Sequence, residues 1–178
     1  MYTTKQLTAK IDVGTYLRDF VNVEEFLECC KECPNYGKVW SCPPYDFNVE
    51  EYWRQYKEIE FFGVRIEFDD EVKTGSWEEV YDSIVTVEKQ KLTEMLYEKE
   101  KEVPGSISLS AGSCRLCKSC ARLCDKPCVN KENMRYSIES LGGNVGKTCT
   151  KILKQELLWC EEGKMPDHFI LVCALLKK

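Results

Sequence analysis

Apolar positions along the chain switch between two periods. Leu7, Ala9, Ile11 and Val13 fall on every second residue of segment 5–13, which predicts a half-buried strand. Gly14 breaks that alternation, and residues 15–21 fit a helical turn. A second strand is predicted over 59–68, with Phe62, Val64, Ile66 and Phe68 on its core face. Trp77, Val80, Tyr81, Ile84, Val85, Leu92, Met95 and Leu96 then recur at helical spacing. They predict the longest helix, from 77 to about 102, ended by Pro104 and Gly105. Ile107 and Leu109 alternate with serines, which suggests a short third strand. Residues 145–155 read as helix. Residues 169–176 are apolar on both alternations, as an interior strand would be.

Helix starts are marked as well. Asn22 with Glu25, Asn48 with Glu51, and Ser76 with Glu79 have capping-box spacing. The pairs Val21/Phe26 and Phe47/Tyr52 are placed as hydrophobic staples. The first of these helices should end near Cys30 and the second near Lys57. One helical turn is expected from Ser137, stopped by Gly142 and Gly143. Four strands separated by helices predict an α+β fold. The expected arrangement is a mixed β-sheet with helices on one face and two cysteine-rich loops meeting at one end. A length of 178 residues fits a single domain.

Composition narrows the picture through its thiols. There are twelve cysteines and one histidine, His168. The N-terminal residues lack the basic-then-apolar build of a secretory signal, so a reducing, cytoplasmic location with metal-bound thiols is expected rather than a disulfide framework. No apolar run approaches a membrane span. A net charge of −5 gives no general attraction for nucleic acid. Charge is uneven, however. Segment 67–82 carries seven acids against Lys73, whereas 114–135 carries Arg115, Lys118, Arg122, Lys126, Lys131 and Arg135 against Asp125 and Glu132. Cations beside thiols favour thiolates.

The cysteines form two groups. Cys114, Cys117, Cys120 and Cys124 follow C-x2-C-x2-C-x3-C, the run with which bacterial ferredoxins hold 4Fe–4S clusters. Short spacers aim successive sulfurs at one small core, and iron takes soft anionic ligands. Cys124 or Cys128 is the fourth candidate. By the ferredoxin rule the last cysteine of such a run serves a neighbouring cluster, so either one is also a candidate partner for the second group. Alternatively Cys120, Cys124 and Cys128 share a helix face as small hydrophobes, which Pro127 disfavours. In the second group Cys30 and Cys33 make a C-x2-C chelate, and Cys42 follows a turn at 34–37. Pro43 and Pro44 stiffen the backbone behind it. Tyr36, Trp40 and Tyr45 are candidates either to shield a site or to pack in the core. Cys29 reads as a spare, Cys149 and Cys160 stand alone, and Cys173 and His168 read as structural. The chain has no complete radical-SAM spacing, no G-x-G-x-x-G, no Walker A and no H-E-x-x-H.

The segment Cys30-x-x-Cys33-Pro34-Asn35-Tyr36-Gly37-x-x-Trp40-Ser41-Cys42-Pro43-Pro44, with Cys114-x2-Cys117-x2-Cys120 and Pro127-Cys128 far downstream, resembles a bacterial and archaeal family of predicted metal-binding proteins of unknown function. The resemblance implies ligand roles for Cys30, Cys33, Cys42, Cys114, Cys117, Cys120 and Cys128, and leaves Cys124 outside the pattern. Val129, Lys131 and Tyr136 depart from it. The family brings no established reaction.

Three functions remain in view. The first is an iron–sulfur protein with one or two 4Fe–4S clusters, carrying electrons to or from an acidic redox partner that docks on the basic rim. The second is a structural zinc protein in which Cys30, Cys33 and a downstream C-x2-C pair make a four-thiolate site. The third is an enzyme in which Cys30, Cys33 and Cys42 leave one iron open. Oligomeric state does not follow from the sequence.

Overall fold

The computed structural model describes residues 1–158 and 165–178. Four strands, β1 (Tyr2–Asp12), β2 (Glu58–Phe68), β3 (Ile107–Leu109) and β4 (His168–Lys177), form one sheet in the order β1-β2-β4-β3. The fold is α+β, as the periodicities predict. The sheet is antiparallel throughout, however, not mixed. The reason is the last strand. β2 and β3 run in the same direction, linked by a helical crossover, but β4 inserts between them and pairs antiparallel with both. Residues 5–13, read as strand, begin earlier and give up Val13 to a helix.

Helices cover both faces of the sheet rather than one. β4 is apolar on both alternations, so each side of it must be removed from water. On one face, Phe62, Val64, Ile66 and Phe68 of β2 and Leu171, Cys173 and Leu175 of β4 pack under a long helical run. That run is α5 (Trp77–Val80), a wide π-type turn (Tyr81–Val85) and α6 (Thr86–Glu102). It joins the core through Val80, Ile84, Val85, Leu92 and Leu96. The turn at Ser76 is a complete capping box.

The other face carries Ile59 and Phe61 of β2 against Leu176 and Ala174 of β4. It is roofed by α1 (Val13–Phe20) and α3 (Val49–Arg54), by a one-turn helix at Glu139–Leu141, and by α7 (Val145–Thr148) with the wide turn Cys149–Leu153 that continues it. α2 (Val23–Lys31) starts on Asn22, whose side chain accepts from Glu25 N, and runs out toward the cysteine loops. A short α4 (Asp70–Lys73) follows β2. Tyr16 is the hub of this second core. Its ring lies 5.2–5.5 Å from those of Phe20, Phe61 and Trp53, and its hydroxyl shares a 2.8 Å hydrogen bond with Thr148 Oγ1.

Trp53 carries the core outward to the site. Its indole Nε1 donates to Leu141 O at 2.9 Å, which fixes the one-turn helix at Glu139–Leu141. Two glycines close that turn, as expected. Gly142 has φ 75°, and a Cβ on Gly143 would meet Ile138 Cγ2 at 2.5 Å, so the chain can pass only without side chains there. Among the described residues no helix is long and apolar enough to cross a membrane.

Candidate metal centre

The two cysteine groups come together on the second core's flank, and they line two adjacent cavities. Cys114, Cys117, Cys120 and Cys128 surround one of about 20 Å³, walled by Val39, Trp40, Ser41, Asn130 and Met134. Cys30, Cys33 and Cys42 line another of about 170 Å³, with Asn35, Tyr36, Gly112, Ser113 and Glu139. The cavities abut through two pairs of consecutive residues. Ser41 walls the first and Cys42 the second; Cys114 walls the first and Ser113 the second. Hydrogen bonds stitch this seam: Cys114 N donates to Ser41 Oγ at 2.9 Å, and Asn35 Nδ2 donates to Ser113 Oγ at 3.2 Å.

Local chemistry explains each loop. After α2, Cys33 N donates to Cys30 O and Tyr36 N to Cys33 O, two tight turns that hold the C-x2-C pair on one side of the chain. Gly37, at φ 69°, lets the loop reverse, and Gly37 N donates to Pro43 O at 2.9 Å. The Pro43–Pro44 bond is cis. In the other loop, Cys120 begins a 3₁₀ turn at Ala121–Cys124, which Asp125 ends with φ 53°. That break precedes Pro127 and separates Cys124 from Cys128, so the three cysteines do not share a helix face. Cys128 lines the first cavity; Cys124 is exposed and lines neither.

Arg122 ties the loops together. Its guanidinium donates to the carbonyls of Val39, Cys42 and Pro44 at 3.0, 2.6 and 2.7 Å and lies 4.9 Å over the Trp40 ring. These contacts turn its guanidinium inward, across the seam between the two loops. Trp40 Nε1 donates in return to Lys126 O at 2.9 Å. Trp40 and Tyr36 wall the cavities, whereas Tyr45 stacks on Phe47 and meets Tyr136 edge-on.

Some of the functional groups were not visible in the sequence pattern. Asn130 Nδ2 donates to Cys117 Sγ at 3.0 Å, a contact that stabilises a thiolate. Glu139 sits at the head of its one-turn helix, and its Oε2 is buried without a hydrogen-bond partner. Only its position between Ser137 and Ser140, ahead of two glycines, distinguished it from the surface acids. Arg135 leads into this turn and is held by Glu100 of α6, Nε to Oε1 at 2.8 Å and Nη2 to Oε2 at 2.6 Å.

The donor set suits a thiophilic metal or cluster. Four sulfurs ring a shared space around a sulfur-directed amide, and an orphaned carboxylate oxygen belongs to the neighbouring cavity's wall. Among the described residues no three His, Cys, Asp or Glu converge closely enough to hold a single metal ion. Burial raises the thiols of Cys30 and Cys114 above the ordinary value and pushes Cys42 up to about 11. Burial likewise raises Glu139. Loading with metal would therefore release protons.

The remaining cysteines fall elsewhere. Cys29 is exposed, and Cys149 and Cys173 are buried in the two cores, their thiols pushed up to about 12 by burial. Cys160 lies outside the described residues. His168 opens β4, and its Nε2 pairs with Glu156 O at 2.8 Å, a structural tie.

A family model described as "Predicted metal-binding protein (DUF2284)" matches residues 18–176. No curated protein and no solved structure matches the chain.

Proposed function

This chain belongs to a family of predicted metal-binding proteins, and from that membership we propose that it holds iron–sulfur clusters and passes electrons. Cys114, Cys117, Cys120 and Cys128 hold a 4Fe–4S cluster. Cys30, Cys33 and Cys42 contribute to a second centre beside it. The observation that carries the reading is the ring of four cysteines around one cavity, one wall away from three more. A cluster sets its four thiolates around a core several atoms wide, whereas a zinc ion draws four ligands to one point. The zinc alternative is also less well supported in its own terms, because Cys30 and Cys33 share their cavity with Cys42 and not with a downstream C-x2-C pair.

The clusters, when bound, supply one-electron redox chemistry. The chain's own groups set its conditions. Asn130 donates to Cys117 Sγ, which favours the more reduced, more negative state of a cluster at that sulfur. Val39, Trp40 and Met134 keep water from the first cavity. Outside it lie exposed Leu116, Leu123 and Val129 among exposed Arg115, Lys118 and Lys126, an apolar and basic margin that fits an acidic electron-carrier protein. One electron enters from a reduced carrier and one leaves to an oxidised one, so the protein itself is unchanged over a cycle.

Iron, sulfide and zinc analysis of anaerobically purified protein tests this reading. Brown protein with matched iron and sulfide is expected; colourless protein holding zinc alone overturns it. Charge reversal at Arg115 and Lys118 should slow reduction by an acidic carrier at low salt, and unchanged rates would remove the docking surface.

A further inference from the structure

We propose that Glu139 is the fourth ligand of the second centre, so that Cys30, Cys33, Cys42 and one carboxylate together hold it. This rests on the second cavity being a metal centre, and it replaces the open position that three thiols alone would leave.

The geometry carries the assignment. Glu139 and the three cysteines line the same cavity of about 170 Å³. Among the described residues, the buried side-chain oxygens without a partner are Tyr52 Oη, Thr86 Oγ1 and Glu139 Oε2, and only the last belongs to a residue lining that cavity. A buried carboxylate oxygen with no donor is costly, and native structures keep one where an ion or function repays it. Its own backbone N–H and the Ser137 hydroxyl act on this carboxyl group, with Lys89 the cation nearby, but none of them bonds Oε2, and Lys89 Nζ donates instead to Ser113 O at 2.8 Å. The residue is also held in place. Trp53 grips Leu141 O from below, Ile138 is fully buried, and Ser137 and Ser140 exchange backbone-to-hydroxyl hydrogen bonds on either side of it. A ligand on so rigid a turn needs little ordering on binding.

The chemistry balances simply. The three thiols and the carboxyl group give up their protons to solvent as they bind, and no oxidation state changes. A carboxylate is a harder, weaker ligand to iron than a thiolate. A metal held there would bind Glu139 less tightly than the neighbouring thiolates, so among the described residues Glu139 is the ligand that an incoming oxygen or nitrogen donor would displace most easily.

The test uses the full chain with Cys117→Ser and Cys120→Ser, reconstituted anaerobically with ferrous iron and sulfide so that only the second centre loads. Iron and sulfide per chain, the electron paramagnetic resonance of the cluster, and thermal unfolding with and without metal are read for this parent and for Glu139→Gln, Glu139→Ala and Glu139→Cys. The alanine variant should lose one iron and show the spectrum of a cluster lacking a corner. The cysteine variant should keep full iron with a shifted spectrum. The glutamine variant should retain iron about tenfold less tightly or worse. Without metal, the glutamine variant should be at least as stable as the parent, because it keeps the shape and size of the side chain; with metal it should be less stable. Full iron and an unchanged spectrum in the alanine variant would overturn the assignment and leave the clusters standing. Equal destabilisation of both forms by glutamine would mark Glu139 as structural and also overturn it. A parent that takes up no iron while the wild-type chain does removes the second centre and this assignment with it. A wild-type chain without iron removes the function proposed above; zinc content across the same variants would then decide Glu139 separately.

Discussion

The two cavities are built by opposite routes. The first takes all four of its cysteines from fifteen consecutive residues, and the side chain that donates to one of them, Asn130, comes two residues later. The second takes Cys30 and Cys33 from the end of α2, Cys42 from the loop beyond, and Glu139 from a turn about a hundred residues downstream. The first is about 20 Å³ and the second about 170 Å³. A short loop can close on a small core by local geometry alone. A wide site needs the sheet, Trp53 and the Gly142–Gly143 pair to bring its last wall into place. The first site should therefore depend on its loop, and the second on the fold.

Four measurements would sharpen or break that contrast. The largest effect is expected from Cys117→Ser with Cys120→Ser, which should abolish iron at the first centre and leave the second loaded. Loss of all iron from this variant would remove the second centre and with it the contrast.

Next is Glu100→Gln. Glu100 and Arg135 are 13 % and 12 % exposed, and their pair joins α6 to the segment running between the cavities. Removing one charge should cost about 2–3 kcal/mol in denaturant unfolding. Burial alone would raise the Glu100 carboxyl, but the hydrogen bonds from Arg135 and Ser108 hold it below the ordinary value. Its contribution is therefore present above the unfolded glutamate pKa of about 4.3 and is lost as pH falls through the lower folded value. The wild-type chain should lose stability on that acid limb more steeply than Glu100→Gln, and parallel limbs would refute the pairing.

Asn130→Ala should make the first centre's potential more negative. A donor to sulfur stabilises the added electron, so its loss should lower the potential by on the order of tens of millivolts. Redox titration would show this, with the second centre unmoved. The smallest effect belongs to Cys124→Ser. An exposed thiol that lines neither cavity should leave iron, sulfide and spectrum as they were. Iron loss there would return Cys124 to the ligand set.

Much of the fold was legible because single elements obey local rules. Alternation located β1, β2 and β3, and a capping residue at Asn22, Asn48 and Ser76 started a helix in each case. The double-faced apolar run at 169–176 announced an interior strand, and it is one. Its consequence was harder to see. That the last strand would enter between β2 and β3, and so make the sheet antiparallel and require cover on both faces, depends on which long-range pairing is most favourable. Side-chain period carries no information about that choice.

The same division runs through the site. Cysteine spacing by itself determined two groups of candidate ligands, because a two-residue spacer limits where neighbouring sulfurs can lie. Spacing left Cys124 and Cys128 both open, the family resemblance favoured Cys128, and the fold supplies the physical reason, the left-handed turn at Asp125. The inward role of Arg122 came only from the fold, since a cation's partners are set by the carbonyls the fold leaves unpaired. Glu139 is the limiting case: among thirty acids its one local mark is its place between Ser137 and Ser140, ahead of two glycines. It becomes distinct when packing seals one of its oxygens from water beside three thiols, and burial of that kind is a property of the tertiary structure alone.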